Sequence, residues 1–189
     1  ITLAAERLFT IRYLLGEFET PHPWSDLPYD LLDCKAHKAL NLRAAEESIV
    51  LVENKDRFLP LDKNVKKIAV VGPNSMSVSA LEGSYNGYAS EYITVADGIR
   101  REFPDADIKV ERGCRLISEK LCDWNGFSNM YSDGIAAAES ADVTVLCLGL
   151  DCSVEGEEIP GATGDYLDRG DRKSLRLPKP QQKLADAVC

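Results

Sequence analysis

Apolar residues recur along the chain first at a helical period and then at a strand period. Between Leu3 and Leu15 the positions Leu3, Leu8, Ile11, Leu14 and Leu15 fall near helical spacing, and Gly16 follows as a stop. Residues 17–33 carry Pro21, Trp24, Pro23 and Pro28 with little periodicity, the pattern of an extended connector. A second helix is predicted from about Cys34 to Val52. Ala39, Leu42, Ala45, Ile49 and Val52 share one face of it, and Asp33 is its expected N-cap. The pattern then changes. Lys67–Val71 is a short β-branched run closed by Gly72, as buried parallel strands often are. Helical stretches are expected near 75–82 and 94–103, a strand over Ile108–Glu111, and a helix around Ser132–Ser140. The clearest strand spans 142–150, and an amphipathic helix from about Pro180 continues to Cys189. Strand alternating with helix predicts an α/β fold, an open and mostly parallel sheet. Three strands are few for such a sheet, and the chain opens on Ile1 rather than Met, so the sequence reads as part of a longer polypeptide.

The 189 residues suffice for one core and exclude two full catalytic domains. With 44% apolar and 28% charged residues, whole-chain disorder is excluded as well. Lys plus Arg number 22 against 31 Asp plus Glu, for a net charge of −9. No basic patch interrupts that balance, so neither nucleic acid nor an anionic membrane is an expected partner. No apolar run approaches the roughly 18 residues of a membrane span, and the first residues lack a secretory signal pattern. The six cysteines, Cys34, Cys114, Cys122, Cys147, Cys152 and Cys189, show no C-x-x-C spacing. Cys147 in its apolar run reads as a buried reduced thiol, which tilts the expected compartment towards the cytoplasm.

Ligands of open α/β sheets gather beyond the carboxyl ends of the strands. The segment after Gly72, Gly72-Pro73-Asn74-Ser75, lacks G-x-G-x-x-G and Gly-Lys-Ser/Thr, and Pro73 removes a backbone donor, so a nucleotide is not expected there. His22 and His37 lie far from any nucleophile-like Ser or Cys, against a Ser/His/Asp site. Residues 151–171 are richer. Asp151, Glu155, Glu157, Glu158, Asp165, Asp168 and Asp171 alternate there with Gly156, Gly161, Gly164 and Gly170. Clustered carboxylates raise one another's pKa, which suits a general acid; a solvated acidic loop or an oxygen-ligand cation site fits the same composition.

Ordered strings add a resemblance. Ala44-Ala45-Glu46-Glu47-Ser48-Ile49-Val50-Leu51-Val52-Glu53-Asn54 precedes Leu59-Pro60-Leu61 and then Ile68-Ala69-Val70-Val71-Gly72-Pro73-Asn74. Gly83-Ser84-Tyr85-Asn86-Gly87, Thr94, Gly98-Ile99, Gly113-Cys114, Ala141-Asp142 and Gly149-Leu150-Asp151 follow in order. Val154-Glu155-Gly156-Glu157-Glu158, Gly170-Asp171, Leu175, Leu177-Pro178 and Gln181 complete the series. Together they resemble the second domain of family 3 glycoside hydrolases. The resemblance implies a partial α/β sandwich preceded by the terminal helix and linker of a missing (β/α)8 barrel. Residues 1–16 would be the barrel's last helix, 17–33 the interdomain linker and 34–189 an incomplete sandwich domain. It further implies a retaining, exo-acting β-glycosidase of β-glucosidase or β-xylosidase type. Its partners would be an oligosaccharide or β-glycoside and the barrel of the same polypeptide, with neither organic cofactor nor metal. Such enzymes hold two carboxyls about 5 to 5.5 Å apart, one of them a nucleophile carried by the barrel. Glu155 aligns with the family's acid/base glutamate, and Glu157 and Glu158 are its close rivals. The Tyr85-Asn86-Gly87 form leans towards xylosidase-like members. A non-catalytic α/β ligand-binding or structural module is the competing class.

Overall fold

The computed structural model describes residues 1–19, 21, 25–83, 85–119, 129–154, 167–168 and 171–189. The chain divides into two compact units, residues 1–52 and 53–189.

The first unit holds helix α1 (Thr2–Leu14) and helix α2 (Lys35–Ser48). None of its described residues is buried. Leu8, Ile11, Leu14 and Leu15 are each more than half exposed, as are Leu40, Leu42 and Ile49–Val52. Two expectations for α2 need correcting. Its N-cap is Cys34, because Asp33 sits at φ 54° and instead reaches the ammonium of Lys38 at 3.3 Å. The helix also ends at Ser48: Ile49 is already extended at ψ 125°, and the β-branched Ile49, Val50 and Val52 are poor helix formers.

The second unit contains the sheet. Strands β1 (Lys67–Val71), β2 (Asp107–Glu111) and β3 (Val143–Leu146) are parallel in the order β2-β1-β3. Helix α3 (Val95–Glu102) links β1 to β2, helix α4 (Met130–Glu139) precedes β3, and helix α5 (Lys179–Val188) closes the chain. A two-residue antiparallel pair, β4 (Leu167–Asp168) with β5 (Asp171–Arg172), adds strands the sequence did not predict. The α/β fold expected from the alternation is thus present. The stretch 75–82 is a series of turns rather than a helix, and β3 is shorter than the 142–150 run. Met76, Val78 and Leu81 remain exposed, so no buried apolar face exists there to support a helix.

The central strand explains its own sequence. Ile68 and Val70 pack on one face with Ala96, Ile99 and Phe103 of the α3 side, while Ala69 and Val71 pack on the other with Ala137 of α4 and Leu184 of α5. Burial on both faces requires every residue of the run to be apolar, hence Ile-Ala-Val-Val without alternation. At its entry, Asp142 accepts the Lys67 N–H at 2.9 Å and returns its own N–H to Lys67 O, which fixes the register of β1 against β3. Helix α3 starts with a capping box: Thr94 Oγ1 accepts the Asp97 N–H, and Asp97 Oδ2 accepts the Thr94 N–H. Tyr131 donates its hydroxyl to Lys183 O at 3.0 Å, joining α4 to α5. Before the sheet, the Asn54 side chain exchanges two 2.9 Å hydrogen bonds with the backbone of Leu59, closing the 54–59 loop.

Candidate functional site

Because β1 lies between strands reached by crossovers in opposite directions, the sheet has a switch point at the carboxyl ends of its strands. A cavity of about 500 Å³ opens there. Pro73, Ser75, Met76, Ser77 and Ser79 line it from the exit of β1, Arg112, Arg115, Leu116, Ile117 and Ser118 from the exit of β2, and Asp151 and Ser153 from the exit of β3. Arg112 and Arg115 thus share the cavity lining with Asp151, in a chain whose overall charge is −9.

The strand exits are held together by backbone. Gly72 turns at φ +135°, and an added Cβ would stand 2.2 Å from the carbonyl oxygen of Cys147, so only glycine lets β1 and β3 leave the sheet this close together. The amides of this turn are committed to protein carbonyls: Gly72 N–H to Glu111 O, Asn74 N–H to Cys147 O and Ser75 N–H to Gly72 O. They form no phosphate cradle.

Beyond β3, Asp151 acts as an anchor. Its Oδ1 accepts from the N–H of Ser153 at 2.9 Å and from the Ser153 hydroxyl at 2.5 Å, and its Oδ2 accepts from the Ser77 hydroxyl at 3.4 Å. The Cys152 thiol points to Ser79 O at 3.5 Å. The segment 151–154 is therefore fastened to the exit of β1. One step earlier, the Gly149 N–H and C=O both bond the side chain of Gln181, whose Nε2 also reaches Leu116 O.

Of the residues expected in the site, Asp151 is placed on the cavity wall in a structural role. Glu155, Glu157, Glu158 and Asp165 lie outside the described residues, so the candidate acid and its two rivals have no geometry here. Among the described residues no three His, Cys, Asp or Glu side chains converge as metal ligands. No helix among them is long and apolar enough to cross a membrane. Sequence reasoning overlooked Arg112 and Arg115, which only the fold places on the wall of this cavity. It gave Gln181 no task, although a Gln on the buried side of an amphipathic helix was a usable signal. Cys114 and Cys147 are buried, which pushes both thiols up to about 11 and keeps them protonated and unreactive.

The sequence profile of the glycosyl hydrolase family 3 C-terminal domain matches residues 49–189. The chain belongs to glycosyl hydrolase family 3. It is 36% identical to beta-D-xylosidase 1 of Arabidopsis thaliana over 192 residues, all of this chain and 22% of that protein. To the probable beta-D-xylosidase 7 of the same plant it is 33% identical, again across its whole length and 23% of the relative. Among solved structures, a β-glucosidase from Listeria innocua in complex with glucose superposes with a TM-score of 0.69 at 32% identity, covering 96% of this chain and 22% of the other. The chain therefore spans less than a quarter of each of these three. The family 3 assignment also fits the fold, a small parallel sheet with helices on both faces.

Proposed function

We propose that this chain supplies the acid/base side of a retaining, exo-acting β-glycosidase, with Glu155 as the general acid/base. What supports the reading is the family 3 match over 49–189 together with the place of residue 155, directly after the anchored segment Asp151–Val154 at the carboxyl ends of the strands. In the first step a barrel carboxylate attacks C1 of the sugar while Glu155 gives its proton to the departing oxygen, so the C1–O bond breaks and a glycosyl ester forms. In the second, Glu155, now ionised, takes a proton from water, which attacks C1 and releases the carboxylate. Several relatives carry β-xylosidase names, which favours β-xylosyl over β-glucosyl units as the sugar removed.

On this proposal residues 1–16 close the barrel, 17–33 link the domains and 34–189 belong to the sandwich domain. The exposed Leu8, Ile11 and Leu14 of α1 would then be covered by barrel residues. The 189-residue chain alone turns over no aryl β-glycoside, since the nucleophile and the sugar-holding residues are elsewhere.

The deciding experiment is Glu155→Ala in the polypeptide that carries both domains. With poorly activated leaving groups its rate should fall by about 10²- to 10⁴-fold. Good leaving groups need less proton transfer and should lose less, and added azide should yield a β-glycosyl azide. Near-normal cleavage of unactivated disaccharides by Glu155→Ala, with a large loss in Glu157→Ala or Glu158→Ala, would move the role to that rival. A panel of aryl β-xyloside, β-glucoside and α-arabinoside reads the sugar preference.

A further inference from the structure

We propose that Gln181 is a positioning residue for the acid/base loop, a clamp that fixes where the chain leaves β3. The inference rests on the reading of that loop as the carrier of the acid. Gln181 lies in the first turn of α5 and is wholly buried. A buried amide is costly unless its donors and acceptor are satisfied. Here all are: Nε2 donates to Leu116 O at 2.6 Å and to Gly149 O at 2.8 Å, and Oε1 accepts the Gly149 N–H at 2.7 Å. Only this amide orientation serves two carbonyls and one N–H at once, so its direction is determined by its partners.

Packing does not require an amide at this position. Leu184, nearly one turn later on the same helix, is equally buried and does its work with methyl groups alone. What the amide adds is direction. β3 ends at Leu146, and by Gly149, at φ +134°, the backbone has lost its strand partner. Gln181 replaces that partner on both polar groups of Gly149 and ties the same point to Leu116 at the exit of β2. Two residues further on, Asp151 is held by Ser77 from the exit of β1. The segment that leads into Glu155 is thus located against both other strand exits, by side chains distant in sequence.

The test is Gln181→Met, of similar length and without hydrogen-bonding groups, in the polypeptide that carries both domains. Displacing a catalytic group by about 1 Å costs on the order of 10²-fold, and the loss should concentrate where proton donation matters. We expect kcat/KM on unactivated disaccharides to fall by about 10²-fold and on dinitrophenyl glycosides by less than about threefold. Gln181→Glu, which faces two carbonyls with a carboxylate, should show the same asymmetry. Equal losses on both substrate classes, or none, overturn the positioning role. Glu155→Ala run in parallel separates the two claims. A leaving-group-dependent loss in Glu155→Ala with none in Gln181→Met overturns the clamp alone. The same signature in Gln181→Met with a silent Glu155→Ala supports the clamp and assigns the acid to another residue of the loop. Hydrogen exchange on the unaltered protein needs no variant: the Gly149 amide should be protected like the amides of β1, and exchange at the rate of an exposed loop would overturn the clamp.

Discussion

Gly72→Ala is the sharpest test of the strand exits that frame the cavity. The new methyl carbon would stand 2.2 Å from the oxygen, 2.7 Å from the carbon and 2.9 Å from the nitrogen of Cys147, all backbone, so no side chain can swing away. Two costs combine. Holding an L-residue at φ +135° costs about 1–3 kcal/mol. Relieving the contact means parting β1 from β3, which strains the Cys147 N–H bond to Val71 O at 2.7 Å and the Asn74 N–H bond to Cys147 O at 3.2 Å. At about 1 kcal/mol for each of those bonds, the sum is roughly 3–5 kcal/mol, a large share of the total stability of a domain. Urea unfolding followed by circular dichroism should show the midpoint falling at unchanged slope. Gly98→Ala is the control: it lies inside α3 with nothing within 4 Å of the added carbon, and helix propensity predicts a gain of about 0.5–1 kcal/mol. If Gly72→Ala stays within about 1 kcal/mol of the parent, the close approach of the two strand exits is refuted.

The helix cap and the thiols are open to test in the same way. Thr94→Ala removes the acceptor of the Asp97 N–H and should cost about 1 kcal/mol in the same urea assay. The Thr94 hydroxyl, then the Thr94 N–H, hold the Asp97 carboxyl below its ordinary value of 3.8. Its contribution is therefore present above pH 3.8 and lost as pH falls through the lower folded value, so the stability difference between the parent and Asp97→Asn should shrink in that acid window. Cys114 and Cys147 run the opposite way. Burial raises both thiols from 9.0 to about 11, so the folded state keeps protons that the unfolded state releases, and stability should decline from pH 9 through about 11. Iodoacetamide at pH 8 with mass spectrometry should label the exposed Cys189 quickly and Cys114 and Cys147 only on unfolding; equal rates would contradict the burial.

How far the sequence was legible depended on how many faces of an element are buried. β1 was plain because both its faces are covered, which leaves an uninterrupted apolar run at Ile68–Val71. α3 was equally plain, since its limits are set by local chemistry in the Thr94–Asp97 box. The stretch 75–82 misled because Val78 and Leu81 stand at an i, i+3 spacing, while hydrogen bonds such as Ala80 N–H to Ser77 Oγ and Leu81 N–H to Val78 O favour turns. The extension of α2 through Val52 failed similarly, as apolar spacing continued where β-branching had ended the helix. In the cavity, Asp151 was visible as a carboxylate, but the spacing Asp151-x-Ser153 also encodes a local turn, and that is the use the structure makes of it. Gln181 was illegible because its task depends on partners contributed by the exits of β2 and β3, and Arg112 and Arg115 because only the fold places them on the cavity wall.

The two arginines sharpen what the proposed acid requires. From the sequence, clustered carboxylates in 151–171 should raise one another's pKa and so favour a protonated group. The cavity from whose rim this loop departs bears Arg112 and Arg115, and a nearby guanidinium favours the ionised carboxylate. Both effects act over a few Å, so a glutamate folded back onto the arginines would be a poor proton donor at neutral pH. On the proposed function, a general acid that follows Val154 would keep its proton through burial against a sugar and the like charge of a barrel nucleophile rather than through contact with Arg112 or Arg115. Gln181 ties Gly149 to Leu116 beyond β2, and Ser77 beyond β1 holds Asp151, so on the proposed function the acid-bearing segment starts from a point fixed against both other strand exits.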